Sequence, residues 1–184
     1  MLVLYFDYAS PASAVAVLRL QALADEGVPV GFAGIDVLGL DAALPVTLDQ
    51  LEELERWAPR ARELGLDMRR PPVRPATLGA HLVGALAVDH DLGAAWRFAA
   101  LEAYWSRGVD LGDHLRLLEV AVAAGLPRDL VAQRLADRAR HAELRRAMTA
   151  ERGRGVGGVP VLEAHGTFVP ADLGDEDLRG LAAL

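Results

Sequence analysis

The chain opens on an unbroken apolar run, Leu2-Val3-Leu4-Tyr5-Phe6, ended by Asp7 and a stretch of small residues. Such a run predicts a short strand buried on both faces, at the centre of a mixed sheet. Ser10-Pro11 then has the form of a helix start, a hydroxyl at the N-cap followed by proline at the first helical position. That helix carries Val15, Leu18 and Leu23 inward and stops near Gly27. Val28 to Ile35 follows as a second strand, with apolar residues at 28, 30 and 32. The first 36 residues thus read β-α-β, a parallel pair with a right-handed crossover.

From Thr47 to about Gly153 the period becomes helical, with breaks at Gly65–Pro75, around Asp91, near Gly108–Asp110 and at Gly125-Leu126-Pro127. Leu78, Leu82, Ala85 and Leu86 form one apolar stripe. Ala94 to Trp105 is apolar nearly all round, interrupted only by Arg97 and Glu102. That segment is expected to be buried centrally, or to lie partly in a contact between two copies of the chain, a homodimer. Arg128 to Arg154 is strongly charged and is expected to cover the outside. Strand signals return after residue 155. Val159 to Ala164, the turn His165-Gly166 and Thr167 to Val169 read as a β-hairpin, and Asp175 to Leu184 as a short closing helix. The order is β-α-β, a helical insertion, then β-β-α.

Composition narrows the chemistry. Apolar residues make up 52% of the 184 positions, enough for a sizeable core. The net charge of −7 argues against a nucleic-acid or anionic-membrane partner, either of which needs a concentrated basic patch. All 19 basic residues are arginine, so no lysine can form a Schiff base or contact an anion. The chain has no cysteine, which removes disulfides, thiolate nucleophiles and zinc-thiolate sites. His81, His90, His114, His141 and His165 show no ligand spacing, so no metal is expected. Gly153 to Gly158 lacks the strand-to-helix context of a dinucleotide fingerprint. With no basic N-terminal start and no apolar run near the ~20 residues of a spanning helix, a cytoplasmic location off the membrane is expected.

Three stretches carry a family resemblance. Phe6-Asp7-Tyr8-Ala9-Ser10-Pro11-Ala12-Ser13 resembles the active-site start of DsbA-like proteins, where Cys-Pro-x-Cys caps the first helix. It is closer to the serine version found in 2-hydroxychromene-2-carboxylate isomerases and kappa-class glutathione transferases. Ala103 to Asp113, running on to Ala124-Gly125-Leu126, resembles the helical-domain segment of those isomerases and their FrnE-like relatives. Gly155-Val156-Gly157-Gly158-Val159-Pro160 resembles the element that carries the family's cis-proline. The resemblance spans nearly the whole chain. It implies an α/β thioredoxin-like fold formed by residues 1–40 and 155–184, with an all-helical domain, residues 41–154, inserted after the second strand.

The resemblance also implies a site. In the isomerases and kappa transferases the serine at the helix N-terminus holds the sulfur of bound glutathione, and Ser10 is the matching residue here. A serine in that field is too weak an acid to ionise usefully, but it can donate a hydrogen bond to a thiolate brought by a ligand. A plain N-cap is the other reading of Ser10, and the two are compatible. Ser13 replaces the second cysteine and is a plain first-turn residue or, on the other reading, a ligand-binding one. Pro160 is expected to be cis, with the Val159 backbone offered to an extended thiol peptide, although proline opening an edge strand would also explain it. Asp172 falls where the family places an acid for the ligand's amino group, or it caps the last helix. Asp7 is either a half-buried acid beside Ser10 or, more simply, a solvated strand-end acid. His81 is expected to be a satisfied residue at the edge of the core.

The chain departs from the family pattern in three places. Ala12 replaces the aromatic between the serines, Ala76 the asparagine before the third helix, and the isomerases' lysine has no counterpart unless Arg69, Arg70 or Arg74 serves. The expected function is a thiol-dependent isomerase or transferase. It takes glutathione or another low-molecular-weight thiol as cofactor, and an electrophilic aromatic or enone substrate. The alternative is a non-catalytic, peptide-binding or chaperone-like module of the same fold. Disulfide exchange is impossible without cysteine.

Overall fold

The computed structural model describes residues 1–184. Strand β1 (Leu2–Phe6) leads into helix α1 (Pro11–Asp25) and strand β2 (Val30–Gly34). Six helices follow: α2 (Leu48–Glu63), α3 (Leu78–Val88), α4 (Gly93–Trp105), α5 (His114–Ala123), α6 (Arg128–Ala136) and α7 (Arg138–Arg154). The chain then returns to the sheet with β3 (Val161–Ala164) and β4 (Thr167–Pro170), and closes on α8 (Asp175–Ala183). This is the thioredoxin-like α/β architecture, with its sheet in the order β2-β1-β3-β4. β1 runs parallel to β2 from Leu2↔Val30 to Phe6↔Gly34 and antiparallel to β3 from Leu2↔Ala164 to Tyr5↔Val161. No helix is long and apolar enough to cross a membrane.

Local chemistry explains most boundaries. Ser10 caps α1 with its side chain, Pro11 occupies the first helical turn, and Gly27 turns the chain away at φ 95°. Thr47 and Gln50 form a reciprocal capping box at α2. The β3–β4 turn places both His165 (φ 51°) and Gly166 (φ 79°) in the left-handed region, as a two-residue hairpin turn requires. One break is not marked by glycine or proline. The charged stretch 128–154 divides at Asp137, whose carboxylate accepts from the N–H groups of Ala139 (2.9 Å) and Arg140 (3.1 Å) and so starts α7. A second departure lies in α3, where Ala85 is exposed instead of belonging to the buried stripe. Burial there runs through His81, Leu82, Val83, Leu86 and Ala87 because α4, α6 and α7 all pack on this helix.

One continuous core joins the sheet to the helical segment. Leu2, Leu4 and Phe6 of β1 and Val17 and Leu20 of α1 pack in the same cluster as Trp96, Leu101, Tyr104 and Leu117. Each such side chain stabilises the fold by roughly 1.5–3 kcal/mol. The apolar helix α4 is central, with Trp96, Leu101 and Tyr104 fully buried while Phe98 faces outward. Its aromatic polar atoms are satisfied by backbone carbonyls. Trp96 Nε1 donates to Ala80 (3.1 Å), Trp105 Nε1 to Tyr8 (3.0 Å) and the Tyr104 hydroxyl to Val73 (3.1 Å). A smaller cluster of Tyr5, Ile35, Leu78, Met148 and Val156 lies apart from the main core.

At the end of β2, Gly34 lets the His81 ring lie directly on the strand, and a Cβ there would overlap that ring. Gly34→Ala is therefore expected to destabilise the fold by about 1–3 kcal/mol. Truncating the ring removes the clash, so Gly34→Ala and His81→Ala together should cost less than the sum of the single changes. Denaturant unfolding of the four proteins checks this, and strict additivity would contradict the contact.

Candidate active site at the start of α1

The turn from β1 into α1 is built on Asp7. Its carboxylate is buried, with Oδ1 accepting from Ala9 N–H (3.0 Å) and Oδ2 from Val37 N–H (2.8 Å) in the segment after β2. Burial pushes the Asp7 carboxyl up, opposed by those two N–H donors, the Thr77 hydroxyl and the charge of Arg74. Asp7 is therefore not a solvated strand-end acid. The sequence could not show this, because the decisive donor is 30 residues away.

Ser13 takes the first-turn reading: it is wholly buried, and its Oγ accepts from Asp7 N–H (3.3 Å), so it holds the turn. Ser10 is half-buried; its Oγ accepts from Ser13 N–H (3.2 Å), which leaves its own hydroxyl hydrogen free to donate. Proline at position 11 has no N–H, and Ala12 N–H, in the first turn, has no partner within the helix. The Ser10 hydroxyl and the Ala12 amide are thus the donors that α1 presents at its N-terminus.

Beside this terminus lies a cleft of about 230 Å³. Ala12, Val15, Ala16 and Arg19 line it from one face of α1, Trp57 from α2, Pro160 from the loop before β3, and Ala171 and Asp172 from the turn after β4. The Val159-Pro160 peptide is cis, and both residues are half-buried. The structure thus brings Pro160 and Asp172 together against the position between the two serines. Ser10 precedes Ala12 by two residues but does not itself line the cleft.

Of the lining residues that the sequence reading did not place at the site, Arg19 and Trp57 bring the largest side chains. Arg19 stands on the face that begins at Ala12, at the helical spacing 12, 15, 16, 19, and that was the available signal. Its Nη2 donates to Leu173 O (2.7 Å) and Asp175 Oδ1 (2.5 Å), while its Nε is buried without a partner. The arginines considered as stand-ins for the family's lysine, Arg69, Arg70 and Arg74, do not line this cleft. Arg69 pairs with Asp67 (3.1 Å), and Arg74 exchanges backbone hydrogen bonds with Leu44. Ala76 borders a different cavity, of about 310 Å³, with Gly112, His114 and His141.

The family model of the DSBA-like thioredoxin domain matches residues 1–182. The chain belongs to that family. It is 28% identical over 170 residues, 86% of this chain and 85% of the relative, to a 2-hydroxychromene-2-carboxylate isomerase of Sphingobium xenophagum. Among solved structures it superposes on a probable DsbA oxidoreductase from Streptomyces coelicolor with a TM-score of 0.82 and 22% identity, covering 99% of this chain and 89% of that one. A 2-hydroxychromene-2-carboxylate isomerase structure gives a TM-score of 0.74 and 21% identity, covering 99% and 92%. Both structural likenesses are likenesses of fold. This DsbA-like domain lacks the cysteines of the Cys-Pro-x-Cys motif and carries Ser10-Pro11-Ala12-Ser13 in their place.

Behind the DsbA-like motif lies a second set of buried polar groups. His81 is buried between Phe6 and Tyr8, with ring centroids 5.4 Å and 4.8 Å away. Its Nε2 has no partner, so it is not the satisfied histidine expected. Burial lowers its pKa to about 4, against the pull of the nearby Asp36 carboxylate. Asp36 in turn is raised by burial and by the charge of Asp7.

Because the folded-state pKa of His81 lies below its unfolded value of about 6.5, unfolding takes up a proton. The contribution of the neutral ring is present above pH ~6.5 and is lost as pH falls toward 4, a change of roughly 3 kcal/mol over that window. Asp7 and Asp36, shifted upward, act in the opposite sense. The difference between wild type and His81→Leu therefore isolates the histidine. Thermal melts from pH 7.5 to 4 should show the variant gaining on wild type steadily below pH ~6.5. A pH-independent difference would contradict a neutral buried His81.

Proposed function

We propose that the protein binds a low-molecular-weight thiol, glutathione or a relative, at the start of α1 and uses it in an isomerase- or transferase-type reaction. The observation that carries this reading is the cleft that joins Ala12, Arg19, Pro160 and Asp172 beside the free donors of α1. Its likeness to a 2-hydroxychromene-2-carboxylate isomerase supports an isomerase kind of chemistry over disulfide exchange, for which the chain has no sulfur.

Each residue then has a physical task. The Ser10 hydroxyl and Ala12 N–H donate to the thiolate, where the helix N-terminus favours negative charge. The Val159 backbone before the cis-proline aligns the extended peptide part of the thiol. Asp172 accepts from the ligand's ammonium group, and Arg19, the only cationic residue on the cleft wall, faces its carboxylate. The sulfur adds to an electrophilic carbon of an aromatic or enone substrate, forming a C–S bond as its electrons move onto the conjugated carbonyl. Rotation about the loosened bond and expulsion of the same thiolate give the isomer with the thiol unconsumed.

Calorimetric titration with reduced glutathione tests the reading, with S-methylglutathione as the control that has no thiolate. Wild type should bind reduced glutathione saturably, and Ser10→Ala should bind it about tenfold or more weakly, the loss of a hydrogen bond to a charged group. S-methylglutathione should not distinguish the two proteins. Absence of binding by wild type would contradict the thiol reading. It would favour a peptide-holding module, for which the apolar share of the lining, Val15, Ala16, Trp57 and Pro160 among it, is suited.

A further inference from the structure

A second cavity, larger than the thiol cleft, lies beside β1. About 330 Å³ in volume, it lies along β2, one of the two edge strands of the sheet, between β1, α3, α4 and α7, and shares no lining residue with the cleft. That volume is at the lower end of the ~300–1,000 Å³ range of small-molecule sites. Four of its walls are rings gathered around Phe6. Tyr8 is 5.1 Å away, His81 5.4 Å and Phe32 6.5 Å, all meeting it edge to face. Gly34 and Gly84 border the same space and keep it open, for a Cβ on Gly84 would come within 3.3 Å of the Tyr8 hydroxyl and Trp96 Nε1.

The cavity has one unpaired charge. The Arg97 guanidinium stacks over Phe32, with its central carbon 3.8 Å from the ring centroid, and is half-buried. No carboxylate lies within ion-pair distance of it. Its side-chain hydrogen bond goes to the neutral Gln21 Oε1 (2.5 Å), and its Nε is buried with no partner at all. A half-buried cation with vacant donors is costly and is ordinarily paired. The other charged residue of the lining, Glu151, is already engaged by Arg154 (2.7 Å) and by the Tyr5 hydroxyl (3.1 Å). The space therefore has an aromatic body, a positive end that lacks a counter-ion and a negative end that has one.

We propose that this cavity is a binding site for a flat aromatic carboxylate, its rings held among Phe6, Tyr8, Phe32 and His81 and its carboxylate paired with Arg97. Ring-on-ring and ring-edge contacts select a planar ligand, and the guanidinium fork selects a carboxylate over a neutral group of the same shape. The neutral, buried His81 adds an aromatic face without a competing charge. The cleft and the cavity share no lining residue, and this inference does not depend on the thiol reading.

Fluorescence titration with 2-naphthoate tests the site, since the fully buried Trp96 lies 6.5 Å from Tyr8 and reports on the cavity wall. The neutral isostere 2-naphthamide serves as control. Wild type should bind 2-naphthoate saturably with one site, and Arg97→Gln should weaken that binding by about tenfold or more, while leaving 2-naphthamide unchanged. Ala85 lines the cavity but is exposed, so Ala85→Phe fills the mouth without entering the core and should abolish binding of both probes. Ser10→Ala should leave 2-naphthoate binding intact. No saturable binding to wild type would overturn the proposal, as would equal affinity in Arg97→Gln. Binding lost in Ser10→Ala but kept in Ala85→Phe would also overturn it, by placing the acid in the thiol cleft.

Discussion

The geometry of the candidate site rests on one buried carboxylate. Asp7 ends the central strand, accepts from an amide at its own turn and from one beyond β2, and offers its backbone N–H to Ser13. Those three bonds fix where α1 begins relative to the sheet, and hence where Ser10 and Ala12 point. The arrangement is paid for in desolvation, which is why the carboxyl is held above its ordinary range. A solvated acid could not tie the two segments together, and an apolar residue would leave Ala9 and Val37 amides to find other partners. The same strand end places Phe6, Tyr8 and His81 behind the site, so the polar turn and the aromatic cavity share a foundation.

At the start of α1 this chain carries oxygen, in Ser10 and Ser13, where the Cys-Pro-x-Cys motif carries sulfur. A cysteine there exploits the helix field by ionising. A serine cannot, and the field is then available to a charge that arrives from outside. With Ser10 Oγ already accepting from Ser13, the hydroxyl is set as a donor. The cleft beside this terminus is shaped by the small side chain of Ala12, by Trp57 entering from α2 and by Arg19 on the same face of α1.

Much of the fold was legible in the sequence because its punctuation is local. Ser10-Pro11, Gly27, the Thr47 box and His165-Gly166 each specify a boundary through the residues that form it. The division at Asp137 was less visible, since a single cap interrupts an even run of charge. In α3 the stripe reading misplaced Ala85 because helices packed on several sides bury more than one face. The site was legible only in part. Ser10, Pro160 and Asp172 were named from motif, but Ser13 turned inward, and Arg19 and Trp57 entered through packing. Asp7 and His81 owe their burial to segments far away in the chain, which periodicity does not reveal.

The central claim is that the start of α1 stabilises a thiolate brought by a ligand. Because the protein contains no cysteine, any thiolate absorbance in a complex with glutathione belongs to the ligand alone. An ultraviolet titration of bound glutathione against pH reads its ionisation directly. The account predicts that the thiol ionises at least about one pH unit below the ~8.5 of a free cysteine thiol and that the shift disappears in Ser10→Ala. A bound thiol that titrates like the free one would contradict it.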